Sequence, residues 1–176
     1  MYTNINARKI VKTALMAALC LIFTIFFPIA LPTGYANLGD AVCFLSGFML
    51  NGFYGSLAAG LGSGLADIIS GYGIYFPATF IAKAIIALLG AFARRIVLKT
   101  KLKREFLVYL CATACSLLAE TVMVATYFLY ESFILGLGEA AIASIFGNLT
   151  QAGVGFVLSL IFTLMFKRNK KLQNLL

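Results

Sequence analysis

The chain contains no histidine among its 176 residues, and it has only six acidic residues. The absence of histidine excludes zinc sites built from Cys and His and leaves no imidazole to act as a general base. No G-x-S-x-G sequence is present, which disfavours a membrane-embedded serine hydrolase. No glycine-rich stretch leads into Lys-Ser or Lys-Thr, so there is no P-loop for nucleotides. We therefore expect no enzymatic activity, no metal and no cofactor.

Charged residues are also scarce, at 11%, whereas 62% of the residues are hydrophobic and the mean hydropathy is +0.99. A chain of this composition cannot form a soluble surface, which predicts an integral protein of the lipid bilayer. The first apolar run, Ile10 to Leu31, is longer than the hydrophobic part of a signal peptide and lacks an A-x-A-like cleavage site. We expect it to be retained as a helix.

Apolar segments long enough to cross a bilayer, about 20 residues each, predict one all-α domain over residues 1–176 with six transmembrane helices. The tract from Asn37 to Ile69 is interrupted at residues 51–55 and is divided there into a short second helix and a third. Pro77 is a favourable first residue for the fourth helix. The remaining predicted helices are Ile10–Leu31, Pro77–Arg94, Phe106–Tyr130 and Ala140–Phe166.

Thirteen of the fourteen cations fall into three clusters outside the apolar cores of the helices. With six crossings, all three clusters lie on one side, and Lys and Arg are enriched in short cytoplasmic loops. This predicts cytoplasmic termini and a multi-pass protein of a bacterial-type cell membrane. No aromatic or polar pattern accompanies the cations, so we expect no nucleic-acid partner. The clusters contain Arg8, Lys9 and Lys12; Arg94, Arg95, Lys99, Lys101, Lys103 and Arg104; and Lys167, Arg168, Lys170 and Lys171.

Lys83 is the one cation near the middle of an apolar stretch, whereas the others lie at segment ends. A charge at the centre of a bilayer helix costs about 2.5 to 3.5 kcal/mol, so it normally faces a protein interior and has a partner. Glu120 is the candidate partner in another apolar segment, and Asn148 and Gln151 share one face of the sixth helix. We predict that these four residues line a cavity open to the outer side. The alternative is a Lys83–Glu120 ion pair that only holds helices together.

The outer loops carry acidic and aromatic residues but no Lys or Arg. Tyr35 and Asp40 in the first outer loop and Tyr75 in the second are candidates for a lid over a ligand. The alternative for the tyrosines is an aromatic belt at the membrane interface. Asp67, at the outer end of the third helix, is expected to orient a loop rather than to contact the ligand.

Small residues predict close contacts between helices. Gly60-x-x-x-Gly64 and Ala14-x-x-x-Ala18 have the spacing that lets membrane helices approach one another. Spacing alone does not say whether the partner of the alanine strip belongs to this chain. The four cysteines lie in apolar segments and are expected to be buried packing residues, namely Cys20, Cys43, Cys111 and Cys115.

These residues resemble a known family, the substrate-binding S components of energy-coupling factor (ECF) transporters, which import vitamins into bacteria and archaea. The resemblance covers nearly the whole chain. It rests on the six predicted helices and on Ala14-x-x-x-Ala18, Asn37–Val42, Tyr54–Asp67 and Tyr75–Lys83. The last two stretches resemble the branch assigned to hydroxymethylpyrimidine or pyridoxine-type substrates.

The resemblance implies a capture subunit that works with a transmembrane T component and two cytoplasmic ATPases. It implies that Ala14 and Ala18 dock on the T component, that helices four to six form the pocket, and that the protein topples to release substrate inward. The alternative is a self-contained proton-coupled carrier that uses Asp67, Lys83 and Glu120 as a relay. No inverted repeats of the kind found in many such carriers are evident in the chain.

Overall fold

The computed structural model describes residues 7–26, 28–31, 34–99 and 105–169. Within these ranges the chain forms six α-helices and one two-stranded hairpin, which lies between the first two helices. The helices are α1 Ala7–Ile25, α2 Gly39–Leu50, α3 Gly52–Ile69, α4 Phe76–Arg94, α5 Glu105–Leu129 and α6 Glu139–Arg168. The strands are β1 Pro28–Leu31 and β2 Gly34–Asn37.

The predicted first span, Ile10–Leu31, is wrong at its outer end. Helix α1 ends at Ile25, and the residues from Pro28 onward form an antiparallel ladder in which Pro28 pairs with Asn37. Proline has no amide hydrogen and cannot continue a helix, which accounts for the early stop. The prediction of an all-α fold therefore holds for the described residues except at this hairpin.

The predicted break between the second and third helices is confirmed at Asn51. This residue adopts a positive φ of 89°, and its side-chain oxygen accepts a hydrogen bond from the Tyr54 amide at 3.4 Å. Its ψ is 176°, a value that residues other than glycine rarely combine with a positive φ, so Asn51 interrupts the helical backbone. The 12 residues of α2 span about 18 Å, which is shorter than the hydrocarbon core of a bilayer.

The predicted bounds of the last three helices agree with the structure to within two residues. Among the described residues, three segments are long and apolar enough to cross a membrane. Each consists of one of these helices, in two cases with an adjoining turn. The segments are Gly73–Val97, Tyr109–Ile134 and Glu139–Arg168. Six crossings and cytoplasmic termini remain predictions.

The predicted glycine face of α3 is confirmed as a packing surface. A Cβ added at Gly60 would lie 2.8 Å from the Phe80 ring, and one at Gly64 would lie 2.8 Å from the Phe76 ring. At Gly62 an added Cβ would overlap the carbonyl oxygen of Ala17 on α1. Because side chains are absent at these positions, α3 packs closely against both α1 and α4.

Three of the cysteines are buried as predicted, and Cys111 is half-buried. Helix α1 turns Met16 and Cys20 toward the other helices, whereas Ala14 and Ala18 are exposed. The alanine strip is therefore not used in the packing of the described chain.

Candidate functional site

A polar cavity of about 270 Å³ lies near the end of the bundle that carries the hairpin, which we call the outer end. Every helix except α2 contributes to its lining, together with β2 and the turn before α4. The lining residues are Thr24, Asn37, Asp67, Tyr72, Tyr75, Thr79, Lys83, Tyr127, Glu131, Ser144, Gly147, Asn148 and Gln151.

Lys83 forms an ion pair with Asp40, and the two residues are only 2% and 0% exposed. Asp40 belongs to the first turn of α2, where the helix dipole favours a negative charge. The predicted pairing of Lys83 with Glu120 is therefore wrong. Asp40 is also not a lid residue, because it is the buried counterion of Lys83 and is absent from the described lining of the cavity.

Gln151 completes the floor of the cavity. Its Nε2 donates to Asp40 Oδ2 at 2.6 Å, and its Oε1 accepts a hydrogen bond from Asn37 Nδ2 at 3.4 Å. Asn37 Oδ1 in turn accepts from the Gly39 amide at 2.8 Å. Both carboxylate oxygens of Asp40 are thus occupied, and a chain of hydrogen bonds connects α6 with the end of the hairpin and the start of α2.

Aromatic rings form one wall of the cavity. The Lys83 ammonium lies 5.5 Å from the centroid of the Tyr127 ring, and the Tyr127 hydroxyl is 2.8 Å from Thr79 Oγ1. The Tyr75 ring is 6.5 Å from that of Tyr127 and 6.3 Å from that of Tyr130. The Lys83 ammonium therefore lies over one face of the Tyr127 ring, and the rings of Tyr75 and Tyr127 line the cavity beside this buried cation.

Two further carboxylates line the cavity, each near the C-terminal end of a helix. Glu131 follows α5, is buried and accepts a hydrogen bond from the Ser144 hydroxyl. Asp67 lies near the end of α3, and its buried Oδ2 has no hydrogen-bond partner among the described residues. Since Asp40 already neutralises Lys83, the walls of the cavity are acidic overall.

Glu120 is buried at 2% exposure but lines a different cavity, an apolar groove of about 430 Å³ between α5 and α6. Neither of its carboxylate oxygens has a hydrogen-bond partner in the described part of the chain. Gly155 of α6 lies against both Glu120 and Asp40. A Cβ added there would overlap Glu120 Oε1 and lie 3.0 Å from Asp40 Cβ.

Of the residues predicted for the pocket, the structure brings Lys83, Asn148, Gln151 and Tyr75 together around one cavity. Glu120 does not line that cavity. Tyr35 lies in β2, and its side chain is outside the described part of the structure.

Sequence reasoning missed Tyr127 and Glu131, although the spacing of α5 contains a signal for them. Glu120, Tyr127 and Glu131 are separated by seven and four residues, which places them along one side of a helix. Asn37, Thr79 and Ser144 are short polar residues, and nothing in their local sequence distinguishes them from residues that only satisfy the backbone.

The described residues include three bilayer-length apolar segments and a polar cavity between helices, which is the construction of a membrane transport component. The model of one family, described as ECF-type riboflavin transporter, S component, matches residues 4–168. The chain belongs to this family and is a multi-pass membrane protein. No curated protein matches it.

Proposed function

We propose that this chain is the substrate-capture subunit of an ECF importer and that it binds a small vitamin or vitamin precursor in the polar cavity. The observation that carries the proposal is the cavity itself, in which a buried ion pair, two amides and tyrosine rings converge near the outer end. A mainly apolar bundle with a few convergent polar groups is the usual form of a small-molecule site.

The dimensions of the cavity favour a ligand with a single ring. Its volume of about 270 Å³ lies just below the range of about 300–1,000 Å³ that is usual for ligand pockets. A pyridoxine or hydroxymethylpyrimidine-like compound is a flat ring with polar substituents, which suits the tyrosine wall and the amides of Asn148 and Gln151. Riboflavin is the second candidate because the matching family is named for it.

The charges of the site favour a ligand rich in hydrogen-bond donors. Lys83 is neutralised by Asp40, whereas Asp67 and Glu131 present acceptors that hydroxyl, amino or ring N–H groups satisfy. A phosphorylated form of the same vitamin would place negative charge beside these carboxylates, and like charges at close range are repulsive. The unphosphorylated compound is therefore the proposed substrate.

Coupling to transport is proposed to follow the arrangement of the family, with a transmembrane T component and two cytoplasmic ATPases. Ala14 and Ala18 are the proposed docking residues, which is supported by their exposure on α1. The polar residues in the outer half support capture from outside, with inward release by toppling of the subunit. The competing function is a proton-coupled carrier that needs no partner.

Calorimetric titration of the purified protein with pyridoxine, pyridoxine 5′-phosphate, hydroxymethylpyrimidine and riboflavin tests the substrate. We expect one of the two unphosphorylated one-ring compounds to bind, the phosphate ester to bind at least tenfold more weakly, and Glu131→Gln to weaken binding about tenfold. Glu139→Gln is the matched control, since Glu139 is an exposed acid outside the cavity. Binding of riboflavin alone would favour the second candidate.

Uptake into liposomes tests the coupling. Transport is expected only when the T component and ATPases are present and ATP is supplied on the side where they bind. Accumulation driven by a proton gradient in liposomes that hold this chain alone would instead establish the carrier.

A further inference from the structure

A second polar hollow, of about 300 Å³, lies at the end of the bundle opposite the hairpin. We call it the basic cleft, and its lining residues are Lys9, Lys12, Thr13, Met49, Leu50, Asn51, Tyr54 and Arg94. It is remote from the polar cavity, because Lys9 and Thr24 line the two hollows from positions 15 residues apart on α1, a rise of about 22 Å. The cation clusters predict that this end faces the cytoplasm.

Positive charge is concentrated in the cleft, and no described carboxylate lies among its lining residues. Its three cations come from the start of α1 and the end of α4. None of the five acidic residues whose side chains the structure describes lies there. Four of them line or adjoin the polar cavity or the apolar groove, and Glu139 begins α6 at the outer end.

The shape of the cleft is fixed by contacts within the chain. Arg94 Nη1 donates to the Met49 carbonyl at 3.1 Å, which joins the ends of α4 and α2. The Lys9 ammonium lies 5.8 Å from the centroid of the Tyr54 ring, which joins α1 to α3. The cations are therefore arranged around a concave surface rather than distributed over a flat one, and a compact anion is the ligand that such a surface accommodates.

An apolar surface continues from the cleft along α1. Lys12, Leu15 and Leu19 follow one another at intervals of three and four residues, so they lie along one side of the helix. Leu15 is 62% exposed and Leu19 is 41% exposed. A molecule with an anionic head in the cleft and hydrocarbon chains beside these leucines matches both surfaces. Ala14 and Ala18 lie on a different side of α1 and remain available for docking.

We propose that the basic cleft binds the phosphate headgroup of an anionic phospholipid from the surrounding leaflet, with its acyl chains along Leu15 and Leu19. Basic pockets between membrane helices on the cytoplasmic side bind such headgroups. A bound lipid would hold the start of α1 at the level of the headgroups. This inference does not depend on the identity of the transported substrate.

Native mass spectrometry of the full chain, titrated in detergent with phosphatidylglycerol or with phosphatidylcholine, tests the proposal. We expect phosphatidylglycerol to bind preferentially, the preference to weaken as salt is raised, and the double variant Lys9→Gln/Lys12→Gln to lower its affinity about tenfold. Arg168→Gln is the control, because Arg168 is an exposed cation near the same end that does not line the cleft. It is expected to bind the lipid as the natural chain does.

Two further measurements keep the outcome decisive. Leu15→Ser/Leu19→Ser should weaken lipid binding while leaving any binding of inorganic phosphate unchanged. The lipid assignment would be overturned by two results together: millimolar inorganic phosphate displaces the lipid completely, and the leucine variant binds the lipid as tightly as the natural chain. The cleft would then be a site for a free anion. Equal binding of both phospholipids, or equal loss in the Arg168 control, would overturn the proposal as well.

Discussion

Asp40 and Glu120 are two buried carboxylates that lie on either side of Gly155, yet their surroundings are opposite. Asp40 has an ammonium on one oxygen and the Gln151 amide on the other. Glu120 has no hydrogen-bond partner among the described residues, and it lines an apolar groove. A buried carboxylate in an apolar helix is therefore not enough to define a binding residue, since its partners decide its role.

The two carboxylates also lie beside cavities of different kinds. The larger one, beside Glu120, is almost entirely apolar, whereas the smaller one is lined by amides, hydroxyls, carboxylates and a lysine. A polar vitamin gains hydrogen bonds only in the smaller cavity, because an apolar groove would leave its polar groups unsatisfied. Volume alone favours the apolar groove, whereas the convergence of polar groups favours the proposed site.

The largest expected loss of stability and of ligand binding comes from breaking the ion pair between Lys83 and Asp40. Lys83→Met leaves the Asp40 carboxylate buried without its cation, and Asp40→Asn leaves the ammonium without its anion. Removing one partner of a buried pair typically costs about 3–5 kcal/mol. We expect either substitution to lower the free energy of unfolding in mixed micelles by that amount and to abolish measurable ligand binding.

The double variant Asp40→Asn/Lys83→Met distinguishes lost pairing from general damage. Because no isolated charge remains, it is expected to recover much of the stability lost in either single variant, without recovering ligand binding. Additive losses in the double variant would contradict the direct ion pair.

The glycine between the two carboxylates offers a smaller and sharper test. Gly155→Ala places a methyl group against Glu120 Oε1 and close to Asp40 Cβ, and forced overpacking typically costs about 1–3 kcal/mol. Gly153→Ala is the matched control, because an added Cβ there meets nothing within 4 Å and the residue is exposed. Thermal unfolding should show a loss only in Gly155→Ala. Equal stability of the two variants would mean that the carboxylates are not packed on this glycine.

The helices were largely predictable from the sequence, because long apolar runs, Pro77 and the break at Asn51 act locally. The hairpin was not predictable in the same way. Residues 28–31 continue the apolar character of α1, and only their pairing with residues 34–37 identifies them as a strand. The small-residue face of α3 was predictable by spacing, but its partners, the rings of Phe76 and Phe80, required the fold.

The location of the candidate site was predictable from the sequence, but the contacts between its side chains were only partly predictable. Lys83 indicated a buried polar region, and Gln151 followed from its helix face. The sequence places Asp40 in a loop, whereas its contacts depend on a short helix that brings it to residues more than 40 positions away. Pairing between distant elements leaves no periodic signal in a single sequence, so nothing local favours Asp40 over Glu120 as the partner of Lys83.

Of these substitutions, Glu120→Gln is expected to change stability and ligand affinity the least. It is also the most direct comparison between Glu120 and Asp40. The amide keeps the shape of the side chain, and no hydrogen bond to Glu120 is lost within the described chain. We therefore expect the free energy of unfolding to change by less than about 1 kcal/mol. Ligand affinity, measured by the same titration, should stay within about threefold of the natural chain.

Asp40→Asn makes the same chemical change on the other side of Gly155, and there binding should be lost. If both variants lose binding equally, the ligand must reach Glu120, and the apolar groove and the polar cavity would then form one continuous site.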